Sequence, residues 1–488
     1  MTDLTLLLDR RLLRAKNAAV PRQRRLYELL REAILGGRLL AGSTLPASRV
    51  LAQELGLARN SVIHAYEQLS AEGYVQTSRQ GTVVAALPQR RMDLSGAQRQ
   101  DNTAPAMAER AQQLNRRRTA EQDLLPFMPG IPALDAFPVR TWRRLMQSAW
   151  RDQPSDCLGY RPVTGELELR QAIATHVRAS RGVVCGVEQV FVTSGTHESL
   201  SLCAHALADA GQRAWIENPG YGGARMAFQT AGLRVVPVPV DDQGMASTST
   251  LWRRQPPRLI YTTPSHQYPL GSVLSLPRRL ALIEQAQAVG AWILEDDYDS
   301  EFRHDGPPLA AMQGLVPNAP VVYLGTFSKS MFPALRLGFI VVPAATVDRW
   351  QGVLGELVRR GQTAEQAALA AFINEGHFTQ HLRKMRQLYA ERQAALREAL
   401  ARHWPWPGEV LGGACGLHLA LTLPPEISDV QAAAIALDKG LGPRPMSAYG
   451  MGNTSRNGLV IGYANLPADQ MDKRVKQLVR VVNAGLAR

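Results

Sequence analysis

The sequence predicts a multi-domain chain: a mainly α N-terminal head, a polar linker, and an α/β body with a smaller α+β subdomain. Three observations carry this. Apolar residues recur at helical spacing within residues 1–87, residues 88–125 lose that periodicity, and from residue 126 short apolar runs alternate with helical stretches. A length of 488 residues suits several domains better than one.

In the head, Leu26, Leu29, Leu30, Ala33 and Ile34 mark a first helix that Gly36-Gly37 ends. A second helix runs over about 47–55, a turn follows at Gly56-Leu57-Ala58, and a third helix runs from Arg59 to about Glu72. Residues 73–84 then switch to alternating, β-branched residues with a glycine break, the pattern of a two-stranded ribbon. Across 88–125, Gln-Arg repeats and Arg116-Arg117-Arg118 replace hydrophobic spacing, as in a linker that is partly helical at best. In the body (126–488), residues 189–193, 214–217, 259–262, 291–295 and 321–324 read as short buried strands of a largely parallel sheet. Beyond about residue 345 the chain is helix-rich, with strands near 417–421 and 458–463.

The formal charge is +13, and residues 1–125 hold 19 Lys and Arg against 12 Asp and Glu, a net +7. A basic head suits a polyanionic partner; a basic solvated surface is the alternative. The four cysteines, Cys157, Cys185, Cys203 and Cys415, form no CxxC pair, so neither a disulfide frame nor a metal site is expected. No apolar run reaches a membrane span, and the N-terminus does not open a secretory signal. A cytoplasmic protein with no membrane partner is expected.

Helix, glycine turn, helix and ribbon make a winged helix-turn-helix in outline. The second helix of such a unit sets its first residues at base edges in the major groove. Here those are Arg59, Asn60, Ser61 and, a turn later, His64; Arg49 is placed to meet a phosphate, and Arg79 and Thr82 lie on the wing. Ala52, Leu55, Val62, Tyr66 and Leu69 are the expected core. Taken singly, Arg59 and His64 read more readily as ordinary exposed helix residues. Taken together, Leu45-Pro46-Ala47-Ser48-Arg49, Leu51–Gly56, Arg59-Asn60-Ser61-Val62, Ala65–Leu69 and Glu72-Gly73-Tyr74 resemble the GntR family of bacterial regulators over about residues 23–85. The resemblance implies binding to double-stranded operator DNA. The family's wing reads Gly-x-Gly-Thr, and Arg79-Gln80-Gly81-Thr82 departs from it.

The body offers parts of a different kind. Lys329, in Gly325-Thr326-Phe327-Ser328-Lys329-Ser330, is framed by hydroxyls with Arg336 seven residues on, which suits a carbonyl-reactive amine beside an anion site. Ser194-Gly195-Thr196-His197 follows a strand and opens a helix, so its N–H groups suit a phosphate, although such turns are common. Glu295-Asp296-Asp297-Tyr298-Asp299 ends an apolar strand at the sheet edge where α/β proteins bind ligands. A solvated acidic turn is the plainer reading of that run. Glu217-Asn218-Pro219-Gly220-Tyr221 presents an aromatic ring that is equally a core or surface tyrosine in isolation.

In this order the motifs resemble fold-type I pyridoxal-phosphate enzymes of the aspartate aminotransferase class over about residues 126–485. The resemblance makes Lys329 the Schiff-base lysine and Asp296 the partner of the pyridine nitrogen. Tyr298 becomes the donor to the ring hydroxyl, and Tyr221 the stacking ring. Gly195, Thr196, His197, Thr326, Ser328 and Arg336 take the phosphate region, and Tyr160 reaches the phosphate of a neighbouring subunit. Two departures stand out. Tyr268 replaces the asparagine of the enzymes' Asn-Pro-x-Gly, and Val460 takes the place of the arginine that grips the substrate carboxylate; Arg444 or Arg456 is left as a substitute.

A GntR-like head on an aminotransferase-like body resembles the MocR subfamily of transcription regulators, whose wording Ser265-His266-Gln267-Tyr268-Pro269 and Glu295–Phe302 follow. The resemblance implies a head-to-tail homodimer in which pyridoxal 5′-phosphate, or an amine or amino acid reacting with it, sets the DNA-binding geometry, with no more than residual transaminase activity. A working aminotransferase with a DNA-binding appendage, and a cofactor-free dimerising body, are the alternatives. Members sensing γ-aminobutyrate carry, as the resemblance has it, an arginine two residues after the stacking tyrosine. Gly223 stands there, which leaves pyridoxal phosphate itself, taurine, other amines or a D-amino acid open.

Overall fold

The computed structural model describes residues 21–78, 81–86, 108, 121–152, 154–304, 306, 309–452 and 456–486. Arg79 and most of the expected linker, including Arg116–Arg118, lie outside the described residues. The chain divides into two compact units, residues 1–106 and 107–488.

The first unit contains α1 (Arg22–Leu35), β1 (Thr44–Leu45), α2 (Ser48–Leu55), α3 (Arg59–Ala71), β2 (Val75–Ser78) and β3 (Gly81–Val84). Gly56 caps α2 with a left-handed φ of 65°, a conformation that glycine adopts without Cβ strain, and this turns the chain into α3. Ala52, Leu55, Val62, Tyr66 and Leu69 are all buried, with Leu26, Leu30 and Ile34 of α1. The Tyr66 hydroxyl donates to the Pro46 carbonyl at 2.9 Å and ties α3 to the start of α2. The ribbon is a three-stranded sheet of order β1-β3-β2 rather than a two-stranded one. β1 is too short to leave a sequence period.

In the second unit an eight-stranded sheet has the order β4-β11-β10-β9-β8-β5-β6-β7. Its strands are β4 (Val190–Thr193), β5 (Arg213–Asn218), β6 (Arg234–Asp241), β7 (Gly244–Met245), β8 (Leu259–Thr262), β9 (Trp292–Asp297), β10 (Val321–Thr326) and β11 (Gly338–Val341). β10, β9, β8, β5 and β6 run parallel, while β11 lies antiparallel between β10 and β4. One face packs Ile216, Tyr261, Leu294 and Leu324 against α4 (Thr196–Leu207). The other buries Trp215, Ile260, Ile293 and Val321. Both faces are covered, which is why these strands read as unbroken apolar runs.

A smaller four-stranded sheet, β12 (Val410–Leu411), β13 (His418–Thr422), β15 (Gly458–Gly462) and β14 (Arg444–Pro445) in spatial order, makes the α+β subdomain. It packs with the long helix α6 (His377–His403) and with α7 (Ala468–Leu486); α5 (Phe327–Ser330) is the single turn that follows β10. Among the described residues no helix is long and apolar enough to cross a membrane.

Candidate functional site

A cavity of about 290 Å³ opens at the carboxyl ends of the parallel strands. Its wall includes Tyr221, Tyr268, Asp296, Tyr298, Lys329 and, toward the N-terminus of α4, Thr196, His197, Thr326, Ser328 and Arg336. Ten of the twelve residues expected there from sequence therefore meet in one cavity. Gly195 sits just outside as the N-cap of α4, and Tyr160 is 94% exposed, projecting from the body instead of lining its own chain's cavity.

The acidic run is not a solvated turn. Glu295 accepts from the Met312 and Gln313 N–H groups, Asp297 from Arg181 at 2.6 Å and the Tyr323 hydroxyl at 2.6 Å, and Asp299 faces His266 Nδ1 at 3.0 Å. Asp296 differs in reaching the cavity. Its Oδ2 accepts from the Tyr261 hydroxyl at 2.7 Å, and among the described residues its buried Oδ1, like that of Asp297, has no hydrogen-bond partner. Burial pushes its pKa up to about 7, against the pull of Tyr261. A cationic or N–H group beside Oδ1 would satisfy it and hold it ionised.

Lys329 sits on α5, directly after β10, and its Nζ donates to the Gly130 carbonyl at 2.7 Å. A Cβ at Gly130 would lie 3.1 Å from that nitrogen, so a side chain there would crowd the amine. Burial lowers the lysine's proton affinity, while the charges of Asp299, Asp296 and Asp123 work against the shift. The result is an amine more often neutral, hence more nucleophilic, than a surface lysine. Thr326 caps α5 by accepting from Ser328 N–H at 3.2 Å.

Tyr268 and Tyr298 are held by a buried net. Glu217 accepts from the Thr262 and Thr263 hydroxyls at 2.6 and 2.7 Å, and Thr263 Oγ1 accepts from Tyr268 N–H at 3.1 Å. The Tyr268 hydroxyl bonds Tyr449 at 3.0 Å, and its ring meets Tyr221 edge-on at 6.0 Å. Tyr298 donates to the His266 carbonyl at 3.0 Å. Among the described residues His266, Asp299 and Cys415 have ligand atoms close together, but burial holds the Cys415 thiol protonated.

Sequence reasoning missed Tyr261, Thr263, Tyr449, Asp123 and the Met128–Ile131 strap, all in the cavity wall. Tyr261 is hidden in an apolar strand, and the strap carries no motif. A buried amine, a buried half-satisfied carboxylate and a helix N-terminus with hydroxyls and an arginine together fit a phosphorylated pyridine aldehyde.

In the head, Arg59, Asn60 and His64 are exposed on α3, Ser61 is half-buried beside them, and Arg49 is exposed on α2. Thr82 departs from expectation. It is 9% exposed, faces inward with Val84, and its hydroxyl lies 3.5 Å from that of Thr77. The phase of β3 turns it into the head, so it is not displayed to a duplex.

Two family models match the chain: bacterial regulatory proteins of the gntR family over residues 22–84, and aminotransferase class I and II over residues 122–478. A probable rhizopine catabolism regulatory protein, MocR, of Rhizobium meliloti is 40% identical, over 95% of this chain and 94% of its own. The chain belongs to the MocR-type transcription regulators. PdxR of Corynebacterium glutamicum, a pyridoxine biosynthesis transcriptional regulator, is 32% identical over 96% of this chain and 97% of its own. Among solved structures, the α-aminoadipate aminotransferase LysN of Thermus thermophilus matches with a TM-score of 0.71 and 26% identity, over 78% of this chain and 98% of that one. The MocR-type architecture thus joins a GntR DNA-binding head to an aminotransferase fold.

Proposed function

We propose that the body binds pyridoxal 5′-phosphate in this cavity, and that an amine or amino-acid effector reaching it alters how the heads of a homodimer engage double-stranded operator DNA. The main support is the meeting, in one cavity, of the buried Lys329 amine with the unpartnered Asp296 Oδ1. When bound, pyridoxal phosphate supplies a carbonyl carbon that primary amines attack reversibly. Lys329 would offer the resident amine, and Asp296 would hold a proton on the ring nitrogen. Tyr221 would serve the ring face, Tyr298 the ring hydroxyl, and Tyr268 would lie beside them. Gly195, Thr196, His197, Thr326, Ser328 and Arg336 would hold the phosphate at the positive end of α4.

The exposure of Tyr160 supports a contribution to a second subunit's cavity. Arg59, Asn60, Ser61 and His64 read base edges and Arg49 a phosphate. We assign residues 1–87 to the DNA-binding domain, 88–125 to the linker and 126–488 to the effector body, acting in the cytoplasm. Sensing is favoured over turnover because Val460, fully buried among Val240, Leu270, Ala420 and Met446, stands in the place of the arginine by which aminotransferases grip their substrate. The test is an electrophoretic shift on the protein's own upstream DNA, with and without pyridoxal phosphate. The wild type should respond and Lys329→Ala should not; identical binding by both proteins under all conditions refutes the reading.

A further inference from the structure

We infer that Arg444 is the residue that grips an acidic group on the effector, and that the effector is therefore a small amino compound bearing a carboxylate or sulfonate. This rests on the proposed cofactor cavity. β14 pairs antiparallel with β15, and Arg444 stands directly opposite Val460. Opposed residues of neighbouring strands project to the same face with their Cβ atoms about 5 Å apart. A guanidinium on Arg444 thus serves, from the next strand, the region that Val460 leaves apolar.

Arg444 lines the cavity with Lys329, Tyr268 and Tyr449. The other arginine left open by the sequence, Arg456, is not in the cavity wall, and its Nη2 lies 3.5 Å from the Val240 carbonyl. Arg336 belongs to the loop after α5, at the phosphate end. Position 223 supplies no cation either: a Cβ on Gly223 would lie 2.5 Å from the Tyr221 ring, so that space is already filled.

The strand carrying Arg444 is pinned on both sides. Gly442 N–H donates to the Pro126 carbonyl at 2.7 Å, and the Ser447 N–H and hydroxyl both donate to Asp429 at 2.8 Å. Carried on a strand held in this way, a planar guanidinium fork suits two parallel bonds to a carboxylate or sulfonate. Asp123 in the same wall disfavours an anion, so the gain at Arg444 has to exceed that repulsion.

The test uses stable reduced adducts in which pyridoxal phosphate is joined to alanine, β-alanine, taurine or ethylamine. Ethylamine is what each of the other three becomes without its acidic group. Affinities are measured calorimetrically on the full chain, and the ratio of acidic to ethylamine adduct cancels any general loss of ring and phosphate binding. At least one acidic adduct should bind the wild type about tenfold or more tighter than the ethylamine adduct. Which one does so separates the carboxylate from the sulfonate source. Arg444→Gln should bring the ratio near one, and Arg444→Lys, keeping the charge without the fork, should retain part of it.

A ratio near one in the wild type, or a ratio that survives Arg444→Gln, overturns the assignment and leaves the cofactor cavity standing. If Arg444→Gln binds no adduct, the lysine variant decides: a lowered ratio supports the fork and an unchanged one overturns it. Failure of every adduct to bind the wild type removes the cavity reading and this inference together.

Discussion

The head presents Arg49, Arg59, Asn60 and His64 to solvent on two short helices, whereas the body buries Glu217, Glu295, Asp296, Asp297 and Asp299 at 5% exposure or less. The contrast separates two ways of using charge. An exposed cation costs little to keep and acts through a screened field, so binding built on it weakens with salt. A buried carboxylate must be paired or protonated, so its partners reveal its purpose. Of the five buried acids only Asp296 reaches the cavity.

The comparison breaks most completely at Lys329. Lys329→Ala should abolish the visible absorbance of lysine-bound pyridoxal phosphate while leaving the head folded; absorbance spectra and circular dichroism check both. A variant that keeps the wild-type spectrum would remove the lysine from the account.

Asp296→Asn should weaken pyridoxal phosphate binding roughly 10- to 100-fold, the range of a lost charge-assisted hydrogen bond. Its effect on the cofactor-free chain should be opposite. A carboxyl whose folded pKa is raised to about 7 binds more protons folded than unfolded, so stability falls as pH rises from about 4 to about 7. Asparagine removes that loss, on the order of 4 kcal/mol above about pH 7. Urea melts at about pH 5 and pH 8 test the sign; a variant less stable than wild type at the higher pH contradicts it.

The head should respond differently. Arg59→Ala should cost about 1–3 kcal/mol of operator affinity and relax specificity, and Arg49→Ala should lower the salt slope by about one. Neither should change the spectrum of bound cofactor. Thr82→Val should have the smallest effect, with operator binding within about twofold, because Thr82 is buried and its hydroxyl faces that of Thr77 across the ribbon.

Much of this is legible in the sequence because periodicity and motif are local. The helix–turn–helix, the parallel strands and the Lys329 turn all leave a short-range record. The inward phase of Thr82 depends on β3 pairing with both β1 and β2, and β1 is two residues long. The choice between Arg444 and Arg456 needs the register that sets Arg444 against Val460. Asp123 and Gly130 join the cavity only because the strap between them is stitched to the smaller sheet, with Pro126 and Phe127 accepting from Gly442 and Gly462. None of these pairings is written in spacing. The acidic run reads as a plain turn for the same reason: Arg181, Tyr261 and His266, which bond to it, lie far away in sequence.

The central claim is that the cavity and the heads share one free-energy balance, and reciprocity tests it directly. Pyridoxal phosphate affinity is measured by absorbance with and without saturating upstream DNA, and DNA affinity by fluorescence anisotropy with and without saturating pyridoxal phosphate. The account predicts the same coupling factor from both directions in the wild type, about fivefold or more, and a factor of one in Lys329→Ala. A wild-type factor of one from both directions would contradict it.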